Sequence, residues 1–331
     1  MEGEGALVAI VIVTYGDRWV YLSQNLSAWK NQDHARIILI NNGTTYDLDA
    51  KLRMLDMPYV HVLDQGSNKG SAEAFGIGIE FCTQLPDVRY IWLLDDDNIS
   101  VPETLHILLH EAKMLEERGE RQIALMCNRT NRKYIARTIS GEPLWRNFRP
   151  RNAFLGFHIF NVFRSKKPKP IDLGSAAETT ALQIPYAPYG GFFFSCDLAS
   201  VVGLPDRRFF LYADDFEYTH RFVKIGVPIY LIPEAVVRDA EPTWQQKKGK
   251  WKTQFLDEKS NKVFYTTRNY IFFQRREFVS NPVIYHLNRY TFVFFLFLLA
   301  VVKGRSVQFK RFARAMHDGL AGVFDNTKYP L

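Results

Sequence analysis

The chain has 331 residues and a formal charge of +7, with 42 lysines and arginines against 35 aspartates and glutamates. Its length suits one large α/β unit or two fused halves, and 47% apolar with 23% charged residues excludes a disordered or collagen-like protein. The positive balance favours an anionic partner: a nucleotide diphosphate, nucleic acid or acidic lipid.

Leu7 to Val13 is a continuous, largely β-branched run, as expected of a strand buried on both faces. It lacks a preceding cationic stretch, so it reads as a strand and not a signal peptide, and the expected compartment is the cytoplasm. Trp19, Leu22, Leu26 and Trp29 then recur at helical spacing. Arg36–Ile40 and Tyr59–Leu63 are further strands, and Ser71 is placed to cap a helix reaching about Gln84, weakened by Gly76 and Gly78. A fourth strand covers Tyr90–Leu94. Ser100 and Glu103 have the spacing of a capping box before a helix with Leu105, Leu108, Ala112 and Leu115 on one face, ending at Gly119. Cys82, Cys127 and Cys196 contain no C-x-x-C pair and leave one unmatched, which argues against a disulfide framework and a thiolate zinc site. From about Cys127 to Ala187 the pattern is irregular, with a basic loop at Arg164–Pro170. A second organised block runs from Tyr189 to Trp244, followed by a basic loop at Gln245–Lys252.

Strands alternating with helices imply a parallel, doubly wound sheet, which binds ligands beyond the carboxyl ends of its strands. Those ends carry Thr14-Tyr15-Gly16-Asp17, Asn41-Asn42-Gly43, Asp64 to Gly70, and Asp95-Asp96-Asp97. Three consecutive carboxylates after a buried strand repel one another unless a cation neutralises them. Alternation along an extended segment lets Asp95 and Asp97 converge while Asp96 points elsewhere, and hard oxygen ligands suit Mg²⁺ or Mn²⁺ on a diphosphate. The alternative is a solvated turn. A second acidic block, Asp214-Asp215-Phe216-Glu217, opens a helix running to Gly226. Simple capping of that helix is one explanation. The upstream Tyr189-Gly190-Gly191-Phe192-Phe193-Phe194-Ser195 adds another: a pocket in which a carboxylate accepts a proton from a hydroxyl nucleophile.

Taken in order and spacing, the motifs ending Val13-Thr14-Tyr15, Asn41-Asn42-Gly43-Thr44, Gly66-Ser67-Asn68-Lys69-Gly70, Trp92 to Asp97, Gly190-Gly191-Phe192, and Ala213 to Glu217 with Arg221 resemble a family 2 glycosyltransferase. The likeness covers roughly Val8 to Asn269 and is nearest to bacterial rhamnosyl- and galactofuranosyltransferases of cell-surface polysaccharide synthesis. It implies a GT-A fold, a Rossmann-like nucleotide-binding sheet fused to an acceptor-binding half. It further implies Asp95 and Asp97 as metal ligands, Asp215 as the catalytic base with Asp214 beside it, Thr14, Tyr15, Asp17, Asn42, Asn68 and Asp96 along the nucleotide, and Gly191 and Phe192 near the donor sugar or acceptor. Family members often have Asp at the position of Asn41, and many have a metal-binding His where this chain reads Ala235-Val236-Val237-Arg238-Asp239; Asp239 is the expected replacement. Arg268-Asn269 resembles a feature that follows the family's catalytic core, with a solvated helix face as the alternative.

Tyr290 to Val302 is almost wholly apolar and aromatic. Thirteen helical residues rise only about 20 Å against the ~30 Å of a bilayer core, and Lys303, Arg305, Lys310, Arg311 and Arg314 follow. An in-plane helix on an anionic membrane surface is expected, a buried helix against the core or a second subunit being the alternative. The resulting expectation is a metal-dependent (Mn²⁺ or Mg²⁺) inverting transferase, peripheral on the inner face of the cell membrane. It moves a sugar from a UDP- or dTDP-linked donor to a glycan or lipid-linked acceptor. The expected division is residues 1–125 for the nucleotide sugar, 126–260 for acceptor and catalysis, and 261–331 as a C-terminal helical segment. An inactive membrane-associated scaffold of the same fold is the alternative. A sugar nucleotidyltransferase fits less well, since it needs a glycine-rich loop where Thr14-Tyr15-Gly16-Asp17-Arg18 stands. Nucleic acid is not expected as a partner, because the basic residues group in loops instead of interleaving with aromatics. The sequence leaves the oligomeric state open.

Overall fold

The computed structural model describes residues 7–30, 35–100, 103–148, 150–162, 182–241, 255–256 and 262–326. The basic loops expected at Arg164–Pro170 and Gln245–Lys252 lie outside these. Two compact units emerge, each drawn from several stretches of chain.

The first comprises residues 1–140, 172–207 and 215–241. Its strands are β1 (Leu7–Gly16), β2 (Ala35–Thr44), β3 (His61–Asp64), β4 (Val88–Asp95), β5 (Asn98–Ser100), β6 (Ala124–Arg129), β7 (Leu182–Ile184), β8 (Phe192–Ser195) and β9 (Ile229–Asp239). They form one sheet in the order β3-β2-β1-β4-β8-β6-β9-β5, with β7 also on β9. The four opening strands are parallel, as their alternation with α1 (Trp19–Ser27), α2 (Leu48–Met54) and α3 (Ser71–Thr83) requires. Beyond β4 the sheet is mixed. β8 runs antiparallel between β4 and β6, so the all-parallel expectation holds only for the first half. The helices α4 (Thr104–Glu117), α5 (Lys133–Ile139), α7 (Leu198–Val202) and α8 (Asp214–Lys224) follow in chain order, a short α6 (Leu144–Asn147) belonging to the second unit.

The β-branched run of β1 is buried from Val8 to Ile12, and Ile38 to Ile40 of β2 and Ile91 to Leu94 of β4 are equally inaccessible. Leu105, Leu108, Ala112 and Leu115 line the inner face of α4. Both expected serine caps are absent. Ser71 is the first helical residue after Gly70, and Ser100 is taken up in β5, where it pairs with Val237, so α4 begins after Glu103. Gly78, which weakens α3 as a helix, is explained by packing: a Cβ there would run into Val11 and crowd Ile40, so glycine lets α3 close on β1 and β2. The three cysteines are buried and unpaired.

The second unit comprises residues 141–171, 208–214 and 242–331. Its main elements are α9 (Lys262–Phe278), α10 (Pro282–Val302) and α11 (Ser306–Ala321). Arg268 and Asn269 are wholly buried, which excludes the solvated-face reading. The Asn269 amide nitrogen donates to the carbonyls of Phe209 (2.8 Å), Leu211 (2.8 Å) and Tyr212 (2.9 Å). Phe210, Tyr212 and Ala213 in that loop all have positive φ, between 62 and 68°. Such a run of non-glycine left-handed residues persists only when its surroundings impose it. The Arg268 guanidinium adds bonds to the Phe209 carbonyl and the Asn326 side chain, and burial lowers its pKa to about 10.

Asn269→Ala removes the side-chain donor of the Leu211 and Tyr212 carbonyls, while the Phe209 carbonyl keeps Arg268 and the Leu211 N–H. The substitution should destabilise the protein by roughly 2–3 kcal/mol, read as a lower urea midpoint with an unchanged m-value.

Candidate active site at the carboxyl ends of the strands

Register brings the chemically loaded loops together. Val13 of β1 lies beside Asp95 of β4, Thr14 beside Asn41, and Asn41 beside Asp64. The strand ends thus form one rim.

Within it, Asp96 is the buried member of the triplet, as alternation suggested, although Asp96 and Asp97 lie in a turn and not an extended strand. Its carboxylate accepts from the Thr14 hydroxyl (3.0 Å) and from Arg18 Nε (2.8 and 2.9 Å). Arg18 reaches on to Glu241 (2.7 Å) and Asp97 (3.6 Å) and lies over the rings of Tyr15 and Tyr21. Burial drives the Asp96 carboxyl up to about 7 despite the opposing pull of Arg18, whose own pKa rises through the same pairing.

Asp95 and Asp97 are the less buried members of the triplet. Asn98 Oδ1 accepts from the Asp95 backbone N–H (2.9 Å), and Asn98 Nδ2 donates to Asp97 Oδ1 (3.3 Å), so one buried side chain pins both. Burial first, then the Asp95 charge, pushes the Asp97 carboxyl up to about 6. Two neighbouring hard oxygen donors, one of them hindered from ionising, are a fit for a divalent cation, which would relieve that cost.

Asp239 has a different environment. Pairing of β5 with β9 sets it opposite Asn98, whose Nδ2 donates to it (3.2 Å). Its side chain is fully buried and grips two guanidiniums: Arg129, through a very short contact and Nε at 2.9 Å, and Arg132 at 2.8 Å. Arg129, itself only 1% exposed, also donates to the Gly190 carbonyl (3.1 Å) and reaches Asp95 (3.4 Å). Burial opposes its charge, but Asp239 and then Asp95 raise its pKa above the ordinary arginine value. Gly190 is essential to this packing, because a Cβ there would strike Asn98, Arg129 and Asp95 together. Among the described residues no three His, Cys, Asp or Glu side chains converge for a metal.

The remaining expected residues are distributed as follows. Asn42 is buried, accepting from the Lys69 N–H (2.8 Å) and donating to Asn68 (3.3 Å), and so ties the β2 and β3 loops together. Tyr15, Asp17 and Asn68 are exposed at the rim. Gly191 joins β4 to β6 by donating to the Leu93 carbonyl and accepting from the Cys127 N–H. The Phe192 ring is entirely buried against Phe194 and Phe222, so it is core and not the wall of an open pocket. At the start of α8 Asp214 is buried and Asp215 half-exposed, its Oδ1 accepting from the Phe216 N–H (2.9 Å). Glu217 is held by Arg221. Arg18, Asn98, Arg129 and Arg132 were not anticipated. A lone Arg after a strand carries no signal in sequence; only the strand pairing that sets it against a carboxylate reveals it.

Residues 9–165 match the family described as Glycosyl transferase family 2. The chain carries a family 2 glycosyltransferase domain. It is 25% identical over 282 residues to the galactofuranosyltransferase GlfT1 of Mycolicibacterium smegmatis, covering 81% of this chain and 83% of that protein. With the dTDP-rhamnosyl transferase RfbF of Shigella flexneri it shares 22% over 334 residues, 96% of this chain and 97% of the relative. The glycosyltransferase domain has the GT-A fold of solved structures. GalNAc-T7 with UDP, GalNAc and Mn²⁺ superposes with a TM-score of 0.55 at 14% identity, over 83% of this chain and 48% of the other. The mannosyltransferase PcManGT of Pyrobaculum calidifontis, in complex with GDP-Man and Mn²⁺, gives 0.50 at 12%, over 95% and 75%.

The burial of Asp97, with the like charge of Asp95 beside it, has a pH signature. The raised Asp97 pKa means that the stability it contributes is fully present below its ordinary pKa of 3.8 and lost as pH rises through about 6. Asp97→Asn removes that loss. In chelator, the variant should match the parent near pH 4 and exceed it by roughly 1–3 kcal/mol at pH 7.5, read as a higher melting temperature at the upper pH alone.

Proposed function

We propose that the chain is an inverting glycosyltransferase. Its donor is a UDP- or dTDP-linked hexose, such as rhamnose or galactofuranose, and its acceptor a glycan or lipid-linked sugar of cell-surface polysaccharide. The observation that carries this reading is the convergence, on the rim of one sheet, of an available carboxylate pair, Asp95 and Asp97, in the unit that also holds the half-exposed Asp215. Similarity to a galactofuranosyl- and a rhamnosyltransferase supports the sugar class. Residues 1–125 serve the donor and 126–260 the acceptor and catalysis.

Asp95 and Asp97 hold Mn²⁺ or Mg²⁺, which when bound supplies positive charge to the departing diphosphate. Thr14, Tyr15, Asp17, Asn42 and Asn68 flank the nucleotide, Asp96 acting through Thr14 and Arg18. Asp215 accepts the proton of an acceptor hydroxyl whose oxygen attacks the anomeric carbon. The bond from that carbon to the diphosphate oxygen breaks and its electron pair leaves with the nucleotide. One displacement inverts the centre. Asp214 is too buried to meet an acceptor and positions the first turn of α8.

A screen of nucleotide sugars for release of UDP or dTDP, with and without Mn²⁺, tests the activity. Asp215→Asn should lower turnover by ~10²–10⁴ while leaving donor binding intact, the usual worth of general-base catalysis. Wild-type turnover in that variant removes Asp215 from the mechanism.

The second unit supports a membrane-surface location. The helix α10 is 21 residues long, longer than the 13 apolar residues suggested, and is long and apolar enough to cross a membrane by length and composition. One face, however, is committed to protein: Tyr285, Asn288, Phe292, Leu296 and Ala300 are buried, and Asn288 bonds the backbone of Asn152 and Ile159 (both 2.8 Å). The opposite face exposes Tyr290, Phe294, Phe295, Phe297, Leu298, Val301 and Val302. At about 100° per residue these cover roughly 160°, wider than the narrow seam of a helix pair. Lys303, Lys310, Arg311 and Arg314 are exposed beyond it, whereas Arg305 turns inward to the Leu256 carbonyl. Such a face with flanking cations suits an anionic lipid surface. Phe294→Glu with Phe297→Glu should reduce flotation with vesicles containing anionic lipid at least tenfold without altering the melting temperature; unchanged flotation refutes the location.

A further inference from the structure

The charge around Asp239 does not balance. Two guanidiniums, Arg129 and Arg132, share this one buried carboxylate. Arg129 also touches Asp95, but the proposed cation would satisfy that carboxylate, and the arginine pair would then carry a surplus positive charge. Asp239 is enclosed by Arg129, Arg132 and Asn98, so an ion seeking it as a ligand would have to displace a buried guanidinium.

Arg132 is the member of the pair that can act outward. Its side chain is 23% exposed, against 1% for Arg129. It meets Asp239 through Nε, and its two terminal nitrogens have no acceptor among the described residues. The Nε–Oδ2 contact is an ion pair without hydrogen-bond alignment, so the guanidinium is held by charge and keeps its terminal donors in a planar fork, the geometry that receives phosphate oxygens in pairs. Its surroundings include the site on both sides. Through Asp239 and Arg129 it is linked to Asp95. The Tyr134 hydroxyl, raised chiefly by burial, is lowered by Arg132 and Arg129 and raised by Asp215, which puts all four groups in one neighbourhood.

We infer that Asp239 is not a metal ligand but the anchor of an arginine clamp, and that Arg132 binds the diphosphate of the nucleotide donor as a permanent positive charge beside the exchangeable cation. The inference rests on the transferase reading for the identity of the ligand, and it replaces the expectation that Asp239 stands in for the family's histidine. It also makes the rim's affinity for a diphosphate partly independent of metal.

The test uses the full-length protein with UDP and dTDP as probes, titrated calorimetrically in chelator and in Mn²⁺, together with Mn²⁺ binding alone followed by electron paramagnetic resonance. Losing one charge-assisted, two-point contact weakens binding by about tenfold. Arg132→Gln should therefore weaken UDP or dTDP by about tenfold in both conditions, while Mn²⁺ alone binds as tightly or more tightly, because a nearby positive charge is gone. Structural damage would weaken both. Arg132→Lys, which keeps the charge next to Asp239 and guards against misfolding, should fall between parent and Gln variant. Asp239→Asn, with its melting temperature as the check on folding, should still bind Mn²⁺, weakened at most about tenfold by the two guanidiniums it leaves uncompensated near Asp95. Equal nucleotide affinity in parent, Lys and Gln proteins overturns the assignment to Arg132, and loss of Mn²⁺ binding in Asp239→Asn returns Asp239 to the ligands. A parent protein that binds neither nucleotide contradicts the transferase reading itself and with it this inference, whereas loss confined to the variants does not.

Discussion

Four carboxylates, Asp95, Asp96, Asp97 and Asp239, are crowded at one edge of a sheet whose interior is hydrocarbon, and the arrangement depends on how their charge is answered. Arg18 answers Asp96, and Arg129 with Arg132 answers Asp239. Unpaired, each buried carboxylate would cost several kcal/mol, and losing one partner of such a pair is among the costlier single changes a protein can suffer. Asp95, 3.4 Å from Arg129, and Asp97, 3.6 Å from Arg18, only share cations committed elsewhere, so the division leaves them the least neutralised. The rim is therefore largely self-neutralised, with a deficit confined to one place.

That division also explains the construction around it. Asn98 can restrain Asp95 and Asp97 because β5 is only three residues long and is held against β9, bringing Asp239 opposite. Gly190 can sit against three polar side chains because it has none of its own. Gly191 continues the backbone into β8, antiparallel between two strands that are otherwise too far apart to bond. The mixed half of the sheet thus serves the site by bringing the ends of β4, β6 and β9 to one rim.

Much of this was legible in the sequence. The β-branched runs of β1, β2 and β4 announce strands buried on both faces, and their polar ends announce a ligand-binding edge, because both signals are local. The acidic triplet could be read in part: alternation separated Asp96 from its neighbours correctly, although the backbone there turns. Other features were hidden for a physical reason. Ser100 and Glu103 have the spacing of a cap, but β5 claims Ser100 through a partner 137 positions further on. Phe192 looked like a pocket wall because an aromatic run after two glycines does not disclose which face is covered. Asp239 looked like a ligand by position, and only tertiary pairing with Arg129 and Arg132 sets its environment. Arg268 and Asn269 follow the same logic, since the Phe209 carbonyl they share lies about sixty residues upstream, in a loop with no pattern of its own.

The anchoring of α10 has one more implication. Asn288 bonds two separate backbone positions from the middle of the committed face, and Phe292 and Leu296 are seated one turn apart behind it. A helix fastened in this way cannot roll about its long axis without breaking buried polar contacts. The aromatic side it turns outward is therefore a fixed bearing surface, and whatever rests on it meets the second unit at a single azimuth.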